Sequence, residues 1–334
     1  MVQSKALRRM GAVFLALLFL CGVAGAEGKR ILVVESYSQE YAWDKDYCDA
    51  LREKLGGAHT LEFFELDTKT LPAEEHAKMG DRAWEKIEET KPDLVVLGDD
   101  AALKFLGPRL AKAEIPTVFL GFNGNPRNSF EDHRLPANFT GVLERPIFKR
   151  FILLVGEMVK GAKDCLILFD TNITSEIVKE EVFKGREREQ VGEITTDLRL
   201  LKTFDEWKVA VTEAGGKYDF IVTGLYQAVR DDKDQSVPAD DVITWVSAHS
   251  PVPVFGFWDF SVGKDKTIGG LVLDGREQGL KAADIILQIL GGKAVADVPP
   301  VTESRGKSLF SRGQLEKWQL TIPESIKEGA ILVD

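Results

Sequence analysis

The feature of the sequence that most constrains the fold is a regular alternation of short β-branched runs with amphipathic segments. Residues 30–35 form one run, residues 44–55 have the pattern of a helix ended by Gly56-Gly57, and residues 61–66 form a second run. Residues 93–98 are almost wholly apolar, which is typical of a parallel strand covered on both faces. This alternation predicts an α/β lobe built on a doubly wound parallel sheet.

The alternation restarts after an irregular stretch, residues 122–143, in which residues 138–142 predict a crossing strand. Further helices are expected at 74–90, 101–112, 146–160, 174–189, 204–214, 239–247 and 277–290. Further strands are expected at 116–121, 164–169, 194–201, 218–223, 252–256 and 268–273. Pro253 cannot donate a ladder hydrogen bond, so its strand is expected near a sheet edge. The chain should therefore form two doubly wound α/β lobes.

The first 26 residues have the pattern of a secretory signal peptide. Three basic residues precede an apolar run at 10–23, and Ala24-Gly25-Ala26 offers a cleavage site. We therefore expect cleavage after about Ala26 and a periplasmic mature protein. An uncleaved membrane anchor and a lipoprotein anchored through Cys21 are the alternatives, although the run is short and Leu20 is bulky.

Net charge limits the class of partner. Removal of residues 1–26 takes away three basic and no acidic residues, which changes the net charge from −10 to −13. A charge of this sign argues against nucleic acid and anionic membrane surfaces as partners. It does not exclude an anionic ligand, because a local site can oppose the charge of the whole protein.

Motifs for covalent chemistry are missing, which predicts a binding protein and no enzyme activity. The sequence has no G-x-S-x-G elbow, no phosphate-binding loop and no dinucleotide fingerprint, so we expect no catalytic residue and no cofactor. The four His residues lack metal-ligand spacing, so no metal site is expected. Cys48 and Cys165 fall in different halves of the chain, which favours two buried free thiols over a disulfide. An enzyme with an unrecognised catalytic group is the alternative.

Several stretches resemble a known family, and the likeness extends over nearly the whole mature chain. The stretches are 91–96 with 99–104, 115–123, 138–142, 275–279 with 282–283 and 289–293, and 320–323. In their order and spacing they resemble the periplasmic substrate-binding proteins of ABC transport systems with the type I fold, in the branch that includes tryptophan-type binding proteins.

The resemblance implies two lobes that are joined by three crossing strands and close on a small ligand. Lobe one would comprise 27–142 plus about 265–295, and lobe two 143–264 plus about 296–334. The ligand would be an amino acid or a similar small polar or aromatic molecule. The implied partner is the permease of an ABC transporter or, alternatively, the ectodomain of a sensor kinase, and the protein would be a monomer.

Candidate ligand-binding residues follow from a physical rule. In open α/β sheets, ligands bind beyond the carboxyl ends of the strands and at helix N-termini. In lobe one the rule selects Ser36, Tyr37, Ser38, Trp43, Asp99, Asp100 and Asn123. In lobe two it selects Asp170, Thr171, Asn172, Tyr226, Trp258 and Asp259, and the crossing strand adds Glu144 and Arg145. This mixture of polar and aromatic side chains suits a small amphipathic ligand.

Each candidate also has a purely structural interpretation. Several polar candidates could simply cap the helix that follows them. These are one of Asp99 and Asp100, the serines at 36 and 38, and the pair at 171–172. Tyr226 and Trp258 could belong to the core, and Asn123 could be a turn former. Arg145 is a natural bidentate anchor for a carboxylate, but it could equally form a surface pair with its neighbour.

Overall fold

The computed structural model describes residues 28–303 and 306–334. The predicted signal peptide, residues 1–26, lies outside these described residues. Within the two ranges, none of the helices has both the length and the apolar character needed to span a bilayer.

The described elements follow one another in the predicted alternation. The strands are β1 (Arg30–Glu35), β2 (Thr60–Glu65), β3 (Leu94–Gly98), β4 (Thr117–Phe122), β5 (Phe139–Glu144), β6 (Asp164–Phe169), β7 (Arg188–Val191), β8 (Ile194–Leu200), β9 (Phe220–Thr223), β10 (Val254–Gly256), β11 (Gly269–Val272), β12 (Val301–Glu303), β13 (Lys307–Ser311) and β14 (Ile331–Val333). The helices are α1 (Ala42–Leu55), α2 (Ala73–Thr90), α3 (Asp99–Lys112), α4 (Phe148–Met158), α5 (Ile173–Glu181), α6 (Phe204–Thr212), α7 (Ala239–His249), α8 (Gly275–Leu290), α9 (Arg312–Trp318) and α10 (Glu324–Lys327).

The sheet of lobe one is parallel throughout, with the strand order β12-β5-β4-β3-β1-β2. Successive residues of a strand face opposite sides of the sheet. Accordingly Ile31 and Val33 pack in the core cluster that also contains α1 and α8, whereas Leu32 and Val34 pack with α2 and α3. The apolar strands thus bury both faces, as the doubly wound prediction requires.

Helix α8 returns to lobe one late in the chain and packs closely on α1. A Cβ atom at Gly279 would lie 2.5 Å from the backbone oxygen of Tyr47, and one at Gly275 would lie 2.4 Å from that of Trp43. Only glycine permits this approach. The contact therefore holds the start of α1, which carries Trp43, against the start of α8.

The sheet of lobe two has the order β10-β9-β6-β8-β7 and is parallel except for the β7–β8 pair. The prediction of an edge position for the strand that follows Pro253 is confirmed, because β10 is the outermost strand. The predicted helix at 174–189 is wrong beyond Glu181. Lys184 and Gly185 have positive φ angles, which end the helix, and the following residues form β7.

The end of the chain is shared between sheets. Strand β12 pairs with β5 in the sheet of lobe one, although residues 296–334 were expected in lobe two. Strands β11, β13 and β14 form a third, small sheet of their own. The prediction of two buried free thiols is confirmed, since Cys48 and Cys165 are both buried and form no disulfide.

Candidate functional site

Residues at or shortly after the carboxyl ends of strands from both lobes meet at the seam between the lobes. These residues enclose a small cavity, here called the central cavity, with a volume of about 10 Å³. That volume holds about one water molecule. The lining consists of Tyr37, Tyr41, Trp43, Asp99, Asn123, Glu144, Thr174, Leu225 and Trp258.

Asp99 lies at the start of α3 and accepts hydrogen bonds from both lobes. Its Oδ1 accepts from the Tyr37 hydroxyl at 2.9 Å and from the Thr174 hydroxyl at 3.1 Å, and Thr174 belongs to lobe two. The backbone φ of Asp99 is +71°, a conformation that Asp tolerates better than most residues. The same oxygen accepts from the backbone N–H of Asp100. The carboxylate is thus fixed in orientation toward the seam.

A chain of polar contacts links β4, β5 and the loop after β10. Asn123 Nδ2 donates to Glu144 Oε2 at 3.1 Å, and Trp258 Nε1 donates to Glu144 Oε1 at 2.7 Å. Glu144 ends β5 in the sheet of lobe one, although residues 143–264 were expected in lobe two, and Trp258 follows a strand of lobe two. The chain of contacts therefore crosses the seam. All three residues are at least 97% buried.

Two buried polar atoms that line the central cavity have no hydrogen-bond partner among the described residues. They are Nε1 of Trp43, a donor, and Oδ1 of Asn123, an acceptor. Most buried polar groups in folded proteins are hydrogen-bonded, so an unpartnered pair that faces one cavity indicates a place for a polar molecule. Such a molecule must both accept and donate.

Burial makes the carboxyl groups at the seam weak acids. Desolvation, together with the nearby charge of Asp99, raises the pKa of Glu144 to about 8. Desolvation also raises the pKa of Asp99, and desolvation and the Asp99 charge raise that of Asp100 well above its ordinary value. The seam therefore favours neutralisation of these carboxyl groups, either by protons or by a bound positive group.

A larger groove opens from the seam on one side of Tyr37. It has a volume of about 400 Å³, and both lobes line it. We call it the tyrosine groove, after Tyr37, Tyr41 and Tyr226 in its wall. Lys69 also lines it, with Nζ 4.4 Å from the ring centroid of Tyr37 and 5.2 Å from that of Tyr41. Its size lies in the range of small-molecule sites.

Side-chain contacts close the seam. The Tyr37 hydroxyl lies 2.7 Å from that of Thr174, and Asn172 Nδ2 donates to the Thr68 carbonyl at 3.1 Å. Arg230 of lobe two donates to the carbonyls of Lys69, Thr70 and Leu71, at 3.1, 2.8 and 3.0 Å. The structure is therefore a closed arrangement of the two lobes.

The structure brings some of the sequence-predicted residues to the central cavity and places others around it. Tyr37, Trp43, Asp99, Asn123, Glu144 and Trp258 line the cavity. Ser38 and Tyr226 line the tyrosine groove. Asp100 and Thr171 line two other surface grooves between the lobes.

Other predicted residues have structural roles. Ser36 Oγ accepts from the backbone N–H of Ala102 in the first turn of α3, and Asn172 Oδ1 caps α5. Asp170 accepts from two backbone N–H groups and from Ser175 and thereby holds its own loop.

Two charged candidates are directed away from the central cavity. Arg145 donates to the backbone carbonyls of residues 122–124 and to that of Glu144, so its guanidinium is engaged by the loop after β4. Asp259 lies near Lys307, which forms an ion pair with Asp274 at 2.7 Å. Neither side chain is placed as a carboxylate anchor or a cavity group.

Sequence reasoning missed Tyr41, Thr174 and Leu225 in the cavity lining, as well as Lys69 and Arg230 at the seam. Thr174 could have been found, because it lies in the first turn of α5, the helix after β6. Lys69 follows β2, whose carboxyl end was not considered.

The central cavity has the residue types of a small-molecule binding site. Within residues 28–303 and 306–334, no group of three or more His, Cys, Asp or Glu side chains is placed to hold a metal ion. Aromatic walls, fixed carboxylates and unpartnered polar atoms are features of small-molecule recognition.

A family model for the ABC transporter substrate-binding proteins matches residues 69–333. None of the curated protein sequences compared with the chain matches it.

Solved structures share the fold at low sequence identity. An ABC domain from Streptococcus pneumonia, in complex with L-Trp, is 19% identical with a TM-score of 0.66, over 92% of this chain and 100% of that chain. A substrate-binding protein with adhesive properties from Clostridium difficile, in a ligand-free, open structure, is 13% identical with a TM-score of 0.64, over 92% and 99%. An ABC transporter solute-binding protein from Bacillus halodurans, with bound myo-inositol, is 12% identical with a TM-score of 0.54, over 91% and 98%.

Proposed function

The chain belongs to the family of ABC transporter substrate-binding proteins, and we propose that it closes on an amino acid or a similar small polar or aromatic molecule. It would then present that ligand to the permease of an ABC transporter. We further propose that the protein is exported to the periplasm, on the basis of its first 26 residues.

The observation that carries the proposal is the central cavity. Both lobes contribute to its lining, and an unpartnered donor on Trp43 and an unpartnered acceptor on Asn123 border it. A ligand that supplied the two missing hydrogen bonds would stabilise the closed lobes over the open ones. Differential stabilisation of this kind is how a ligand drives closure.

The lining favours an amino acid or a related molecule. Asp99 and Glu144 offer carboxyl groups to an ammonium, and Trp43 and Trp258 offer aromatic surface. The structural neighbour that is in complex with L-Trp is consistent with this class, although at 19% identity it supports only the shared fold.

The lobes must separate for a ligand to enter. The central cavity holds about one water-sized polar group and not a whole amino acid. We therefore expect a hinge motion that breaks the contacts of Arg230 and Thr174 across the seam.

A thermal-shift screen of amino acids, nucleosides, sugars and small carboxylates tests the proposal. A true ligand binds only the native protein and raises its melting temperature. Calorimetry should then give weaker binding for Asn123→Ala and unchanged binding for Asn128→Ala, a control at an exposed asparagine on the turn after β4. Equal affinity for both variants would contradict the assignment of the cavity.

The transport role needs a test in cells. Deletion of the gene should abolish high-affinity uptake of the ligand found in the screen. Normal uptake, combined with loss of a ligand-dependent kinase response, would contradict the transport role and leave ligand binding intact.

A further inference from the structure

We propose that Lys69 binds an anionic group of the ligand, so that the ligand is a zwitterion such as an amino acid and not a sugar or a simple amine. This inference rests on the function proposed above. It assigns the anion-binding role, which the sequence suggested for Arg145, to a residue of the loop after β2.

The amine of Lys69 is buried without a hydrogen-bond partner. The residue is only 3% exposed, and no described atom accepts a hydrogen bond from its Nζ. The ring faces of Tyr37 and Tyr41 lie near it, at 4.4 and 5.2 Å. Cation–π contacts of this kind offset part of the lost hydration but leave the three N–H donors unused.

A second lysine of the same groove shows the contrast. Lys266 also lines the tyrosine groove, and its Nζ forms an ion pair with Asp240 at 2.8 Å. An unpaired buried charge is costly, whereas a paired one is common in proteins. Of the two lysines, Lys69 is therefore the one whose N–H donors are left for an anion, since the buried Asp99 carboxylate acts on it only at longer range, without a hydrogen bond.

Closure of the lobes places Lys69 in this environment. Asn172 donates to the carbonyl of Thr68, and Arg230 donates to the carbonyls of residues 69–71, so lobe two holds the loop from both sides. When the lobes part, these contacts break and the amine can reach water. A ligand anion would supply the acceptor that the closed state lacks, and so would favour closure.

Opposite charges lie on the two sides of Tyr37. Its ring faces Lys69, while its hydroxyl donates to Asp99, which borders the central cavity together with Glu144. One region of the site thus attracts a positive group and the other a negative group. A zwitterion matches both, whereas a sugar matches neither charge and an amine matches only one.

Pairs of compounds that differ by one carboxylate test the inference, for example L-tryptophan with tryptamine, L-tyrosine with tyramine, and L-phenylalanine with phenethylamine. The wild-type protein should bind the amino acid of at least one pair about 10- to 100-fold more tightly than the amine, the effect of a charge-assisted hydrogen bond. Lys69→Met should abolish that preference, and Lys69→Arg should retain most of it. Lys217→Met, a control at an exposed lysine outside the groove that pairs with Glu213 at 2.9 Å, should leave it unchanged.

The outcomes separate the two proposals. Binding of an amine or a sugar as tightly as any amino acid would overturn the role of Lys69 while the receptor function stood. A folded Lys69→Met protein that kept the wild-type preference would do the same. No binding of any compound in the wider screen would contradict the receptor function itself.

Discussion

Removal of the guanidinium of Arg230 should shift the protein toward its open form. Its three hydrogen bonds to the carbonyls of residues 69–71 cross the seam, at 2.8 to 3.1 Å. A hydrogen bond contributes about 0.5–1.5 kcal/mol net, and the partial exposure of this side chain argues for the lower half of that range. Arg230→Ala should therefore disfavour closure by about 2 kcal/mol, which lowers the closed-to-open ratio roughly 30-fold.

The distance between the lobes can be measured with spin labels on cysteines introduced at two exposed lysines, Lys78→Cys on α2 and Lys217→Cys after α6. The native thiols of Cys48 and Cys165 are buried and should not react. Distance distributions would be recorded without ligand and through a titration with the ligand found by screening. Arg230→Ala should need more ligand to reach the closed distance.

Arg188→Ala is the matched control, because the guanidinium of Arg188 pairs with Asp197 inside lobe two, with Nε 3.4 Å from Oδ1. Its distances should follow those of the wild type. If Arg230→Ala also followed the wild type at every ligand concentration, the idea that this contact stabilises closure would be refuted.

Three further predictions concern the site and its support. The folded protein keeps a proton on Glu144 up to a pKa of about 8, whereas the unfolded chain loses it near 4.5, so the free energy of unfolding should fall as pH rises between these values. Chemical denaturation of Glu144→Gln should show a smaller fall, and an identical slope would contradict this. Asn123→Asp places a third carboxyl group beside Glu144 and Asp100. Because the carboxyl groups repel one another more when they are ionised, the substitution should lower the melting temperature more at pH 8 than at pH 5. An equal fall in melting temperature at both pH values would argue against like-charge repulsion. Gly279→Ala should cost about 1–3 kcal/mol by overpacking against Tyr47, measured by denaturation beside Gly57→Ala, whose added Cβ meets no atom within 4 Å.

The fold could be predicted from the sequence because the hydrophobic pattern of each segment agrees with its position in the sheets and helices. The apolar strands required helices on both faces, and Pro253 required an edge position, which β10 has. The helix predicted at 174–189 failed because residues in the left-handed conformation end it, and the sequence pattern beyond that point was still compatible with a helix.

The site was predictable only as a set of loops. Adjacent residues in such loops direct their side chains to different places. Asp99 borders the central cavity, whereas Asp100 accepts hydrogen bonds from the backbone N–H groups of Asn123 and Gly124. Arg145 is likewise taken up by backbone carbonyls. Side-chain direction depends on which neighbouring backbone groups remain unpaired after folding, and no local pattern in the sequence records that.

The late return of α8 to lobe one affects the order in which the chain can fold as it is made. The face of the first sheet that carries Ile31 and Val33 is completed only when Gly275–Leu290 has been synthesised, long after the strands of lobe two. The same core cluster joins Phe220 of lobe two to Leu271 and Phe310, so both lobes must wait for segments that are made late. We therefore expect a nascent chain of this kind to stay loosely structured until near the end of translation, which would suit the export proposed above.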